Sequence, residues 1–172
     1  MFFTRPQISL VKRSFETAEG LVRNYFCLHD EDWCASRYDI RTLAELEGTE
    51  VNRSAFAHLC RYHCDKPDSQ LPKFLYRICL QDDCILDAIA RGKSFIKLYP
   101  LLLYIATHEL IHVIRFGSGE SDFDAPPEEK DREEERVHTI TRSMLKALRG
   151  KNDFGLVLDC FSNNYPHLRW KV

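Results

Sequence analysis

Residues 100–117, PLLLYIATHELIHVIRFG, decide how the rest of the chain is read. Pro100 suits the first turn of a helix, and Gly117 suits its C-terminal cap. Between them almost every position is apolar, so the spacing predicts a central helix buried on all sides. His108 and His112 are four residues apart and share one face of that helix. Unpaired polar groups are costly in an apolar interior, so two histidines and Glu109 in such a helix need a reason. Two neutral imidazoles at this spacing can bind Zn2+, and the adjacent carboxylate can take a proton from a water that the metal activates. Zinc lowers the pKa of such a water to about 7. His108 and His112 are therefore candidate metal ligands and Glu109 the candidate general base.

A catalytic zinc site needs a third protein ligand and one open position. The metzincin arrangement would place Gly at 115 and His at 118, but this chain has Arg115 and Ser118. Residues 128–148 read as the next helix, with an apolar stripe of Val137, Ile140, Met144, Leu145 and Leu148. At about 100° per residue, Glu134 lies about 45° from the centre of that stripe and Glu133 about 55°, while His138 lies about 85° and Glu135 about 145° away. Glu134 is the expected third ligand. In an antiparallel hairpin, Glu109 and Glu134 both fall about 10 Å from the connecting loop, at 1.5 Å per residue. The acids at the start of this helix (Glu128, Glu129, Asp131) are explained by its N-terminal dipole.

HELIH followed by a helix reading EERVHTITRSML resembles the gluzincin type of zincin metallopeptidase, and is closest in style to the ImmA/IrrE-like peptidases. There the motif is followed by a helix of the form EExANxFAxxLL. Laid on this chain, the ligand glutamate falls on Glu134, the alanine on Val137, the asparagine on His138 and the phenylalanine on Ile140. The resemblance spans residues 105–145. It implies a helix-rich α+β fold of minimal zincin type, with a small sheet whose edge strand lies beside the active-site helix. It also implies peptide-bond hydrolysis on a peptide or protein substrate. Residues 74–80, aromatic and branched after Pro72, read as a strand and would suit that edge, where an extended peptide can add by backbone pairing.

The remaining chain fits one domain of 172 residues: a helical N-terminal part (1–70), a central part with the strand and both site helices (71–150), and a tail (151–172). Residues 11–30 and 38–64 read as mostly helical, the second from Leu43, Leu46, Phe56 and Leu59 at intervals of three or four. Residues 84–90 read as a short helix stopped by Gly92, and 118–127 as a polar loop, the best candidate for a mobile segment. A net charge of −2 gives no field for nucleic acid or anionic lipid. No stretch is long enough to span a bilayer and the N-terminus lacks a signal pattern, so a cytoplasmic location is expected. Seven cysteines, an odd number, point to reduced thiols rather than a disulfide framework. His58, Cys60, His63, Cys64, Cys79 and Cys84 could hold a second metal, although their spacings are not those of common zinc ribbons; buried core thiols are the simpler reading.

Alternatives remain at the site. His138 is itself a candidate third ligand, as in SprT-like zincins; otherwise it orients a ligand or stabilises an oxyanion, a role for which Tyr104, Tyr165 and His167 also qualify. The repeated Glu-x-x-His at Glu109/His112 and Glu135/His138 also occurs in ferritin-like di-iron bundles, which would need Glu16, Glu45 or Glu47 as further ligands. A zincin fold idle in catalysis, serving as a binding or regulatory module, is the third possibility. A regulatory partner is not readable.

Overall fold

A computed structural model describes residues 1–30, 33, 37–64, 74–91, 96–150 and 154–160. The fold is α+β. Helix α1 (Arg5–Phe26) opens the chain, followed by strands β1 (Tyr38–Arg41), β2 (Ala57–His63) and β3 (Phe74–Leu80). Then come α2 (Asp82–Arg91), α3 (Leu98–Gly117), α4 (Pro127–Leu145) and α5 (Phe154–Cys160). Helix α1 starts six residues earlier than the periodicity implies. Thr4 and Gln7 form a capping box, Pro6 sits in the first turn, and Cys27 ends the helix at φ 53°. Its Val11, Phe15, Ala18 and Val22 are buried, and the helix packs along α3.

Helix α3 is the centre of the molecule: every residue from 100 to 115 is buried. It touches α1, α4, α5 and the sheet, which explains its apolar composition on all sides. The expected cap at Gly117 is displaced by one residue. Gly117 remains helical, Ser118 caps with its N–H on Ile114 O, and Gly119 takes the positive φ of 75°.

Two expectations are corrected. Residues 38–64 are not helical; they hold β1, two single 3-10 turns (Leu43–Glu45 and Gly48–Glu50) and β2, so of the described N-terminal elements only α1 is a long helix. The apolar residues at intervals of three and four belong to different elements, and within β2 the buried Ala57 and Leu59 follow a period of two. Second, β3 is not an edge. The sheet order is β1-β3-β2, with β1 parallel and β2 antiparallel to β3. Both sides of β3 are paired, so no peptide can add to it, and β2 is the edge that contacts α3 more.

One sheet face carries Ala57, Leu59, Tyr76, Ile78 and Leu80 into the core. The other carries Asp39, His58, Cys60, Tyr62, Arg77 and Cys79, as the register requires. Segment 42–56 covers part of this second face. Glu50, itself buried, accepts a hydrogen bond from Arg77 Nη1 at 2.8 Å and another from the Tyr62 hydroxyl. Arg77 also donates to Asp39 through Nε and Nη2. The Asp65–Asp68 turn, Gly92, Tyr165, His167 and Trp170 lie outside the described residues.

Candidate metal centre

Helices α3 and α4 form the expected hairpin, and Arg115 ties them together. Its guanidinium donates from Nε to Glu133 Oε1 at 2.6 Å and from Nη2 to Glu133 Oε2 at 3.0 Å, while Nη1 meets Glu120 Oε2 at 2.5 Å. Of the two inward acids on α4, Glu133 thus serves the hairpin and Glu134 is left for the histidines. The charge in an apolar helix was the available signal for this clamp, and sequence reasoning did not use it. The loop from 118 to 126 is anchored as well. Phe123 packs edge-on against Phe116 with ring centres 5.3 Å apart and lies beside Tyr76 and under the Arg61 guanidinium; Asp124 pairs with Arg61.

The predicted ligands converge. His108 Nε2 and His112 Nε2 are 3.2 Å apart. Glu134 places Oε1 at 3.1 Å from His108 Nε2 and Oε2 at 3.2 Å from His112 Nε2. Both imidazoles are almost wholly buried. Two imidazole nitrogens and a carboxylate gathered in the interior would offer a cation a ready set of donor atoms. For metal bonds of about 2.0–2.1 Å, tetrahedral ligands stand about 3.3 Å apart, close to the observed separations.

His138 also reaches the centre. Its Nε2 lies 3.1 Å from Glu134 Oε1, its ring centre is 4.5 Å from that of His108, and its Nδ1 is 2.8 Å from the Tyr104 hydroxyl. His108, Glu134 and His138 form a compact group able to hold an ion. Tyr104, considered above for an oxyanion role, instead supports His138. Glu135 is exposed, as its angle implied, and Glu16, Glu45 and Glu47 are exposed too, so the ligands a di-iron site would need are not gathered.

Burial sets the protonation states. It pushes His108 down to about 4, which keeps the imidazole neutral, the form a metal requires. For Glu134, burial opposes ionisation, but the attraction and hydrogen bonds of His108, His112 and His138 outweigh it and hold the carboxyl well below the usual range. Glu109 moves the other way: burial first, then the Glu134 charge, raise it well above an ordinary carboxylate. Its Oε2 is buried with no hydrogen-bond partner among the described residues.

A cleft of about 360 Å3 opens beside the centre. His112, His58, Leu59, Phe116, Phe123 and Lys130 are among its walls, so it runs from α3 to the edge strand β2. His58 and the 49–52 segment were not foreseen here, because the strand that carries His58 was read as helix. Protein-family models, characterised proteins and solved structures were all compared with this chain, and none matches it.

Proposed function

We propose that the chain is a zinc-dependent metallopeptidase of the zincin type. The observation that carries this reading is the triangle of His108 Nε2, His112 Nε2 and the Glu134 carboxylate, with all three separations between 3.1 and 3.2 Å. A buried carboxyl, Glu109, stands next to the first histidine on the same helix. Two neutral imidazoles and one carboxylate fit zinc by ligand type and by spacing. When bound, zinc supplies a Lewis acid that polarises an amide carbonyl and makes water a nucleophile near neutral pH.

The remaining chemistry belongs to the chain. Glu109, next to His108 on the same helix, would accept a proton from the attacking water and pass it to the leaving amine. His138, with Tyr104 on one nitrogen and Glu134 on the other, orients the carboxylate ligand. The cleft between α3 and β2 would admit the substrate, and the outer edge of β2, which no described strand pairs, replaces β3 as the place where an extended peptide would pair.

The position of His138 favours one second reading. If it joins the other three as a ligand, the shell is closed, no position remains for water, and the protein is an idle or regulatory module. Replacing Glu109 with Gln separates the two. On the hydrolase reading the variant keeps zinc, and cleavage of a mixed peptide library falls by at least about 100-fold. Unchanged cleavage by the variant, or a zinc-loaded native protein that cleaves nothing in such a library, refutes it.

A further inference from the structure

We propose a second cation site, formed by His58, Cys60 and Cys79 on the sheet face turned away from α3, for a thiophilic divalent ion such as zinc. Cys60 Sγ lies 3.6 Å from His58 Nε2 and 3.8 Å from Cys79 Sγ. All three ligand atoms are within 4.8 Å of one another. A tetrahedral ion with bonds of about 2.3 Å to sulfur and about 2.0–2.1 Å to nitrogen would hold its ligands about 3.8 Å (sulfur to sulfur) and about 3.6 Å (sulfur to nitrogen) apart. The chain already holds both separations.

The strands make this arrangement rigid. His58 and Cys79 are direct partners in the β2–β3 register, and Cys60 follows His58 by two residues, on the same face. Three ligands are thus fixed by backbone pairing rather than by loops, as a pre-organised site requires. Of the wider group of histidines and cysteines considered from the sequence, Cys84 turns away to Arg53 O. Cys79 and His58 are buried and Cys60 is partly exposed, leaving one side for water or an added ligand.

Charge also favours occupancy. On binding, each thiol gives its proton to solvent, and a dication with two thiolates and a neutral imidazole carries no net charge. The nearest fixed charges are Glu50 and Arg77, bonded at 2.8 Å, and Arg77 also pairs with Asp39, so two carboxylates share one guanidinium and the surroundings do not repel a cation. Because His58 also lines the cleft beside His112, an ion here would stiffen one wall of it.

Titration of the reduced, metal-stripped full chain with Co2+ tests the proposal. Thiolate ligands give intense near-ultraviolet charge-transfer absorption, which a histidine and carboxylate shell lacks. The expected result is a band that saturates within two equivalents in the native chain and at one in Glu134→Gln, and that zinc bleaches in both. In Cys60→Ser, with folding confirmed by circular dichroism, affinity at this site should fall by more than about 100-fold, since even partners outside the shell are worth 10–100-fold. His58→Ala should weaken the band similarly. Absence of the band in the native chain, its persistence in Cys60→Ser, or recovery of a Cys60–Cys79 disulfide from protein purified with zinc would overturn the proposal.

Discussion

Replacing Arg115 with Ala tests the clamp between α3 and α4, the hairpin that carries the proposed metal ligands. The Arg115 side chain is 5% exposed and that of Glu133 11%, so the variant leaves a carboxylate in the interior without its bidentate partner. Breaking a buried pair from one side costs about 3–5 kcal/mol. Glu120 also loses its contact, but it is half exposed and adds little. With a urea slope of about 2 kcal/mol per M, the unfolding midpoint should drop by about 2 M. The double variant Arg115→Met/Glu133→Leu removes both charges and keeps apolar volume, so it should recover to within about 1 kcal/mol of the native chain. Equilibrium unfolding in the presence of a chelator isolates the effect from metal binding. A loss below about 1 kcal/mol in the single variant, or a double variant as weak as the single, would show that the ion pair does not hold α3 to α4.

Glu50 predicts an acid dependence of stability. Its carboxyl is held at about 2, chiefly by the Tyr62 hydroxyl, with Arg77 and a backbone N–H assisting against burial. A depressed folded pKa stabilises above the unfolded value near 4.5 and is lost as pH falls from there towards 2. The increment should be about 2 kcal/mol, less than full linkage because Tyr62 and Arg77 reach solvent. Glu50→Gln should therefore flatten the stability profile between about pH 5 and pH 2, and an unchanged profile would contradict this. Tyr104→Phe removes the hydroxyl behind His138; zinc affinity should fall by about 10-fold with the fold intact, as for other partners that orient a metal shell. Chelation of the native protein should lower its stability by about 4 kcal/mol for each site at which zinc was present at 1,000 times the dissociation constant, and the thermal midpoint should fall by about 8–16 °C per such site.

The site was more legible than the fold around it. In α3 the uniform apolar composition and the four-residue spacing of His108 and His112 are local facts, and the structure keeps them. The choice of Glu134 needed only the helical period of α4, and the same wheel placed Glu133 close enough to the interior to meet Arg115. Strand β2 was not legible, because AHLCRYH becomes a strand through pairing with β3 and not through its own preference. Whether β3 lies at an edge or in the middle is likewise a non-local property, set by β1 and β2 closing on it from both sides. The second histidine–cysteine cluster follows from that pairing, since register alone brings Cys79 opposite His58.

The most direct test of the proposed metal centre is an anomalous diffraction map at the zinc edge from crystals grown with zinc. The account predicts a peak about 2.0–2.2 Å from His108 Nε2, His112 Nε2 and a Glu134 oxygen. It is contradicted if no peak lies between α3 and α4 and the two imidazoles are instead held by hydrogen bonds within the core.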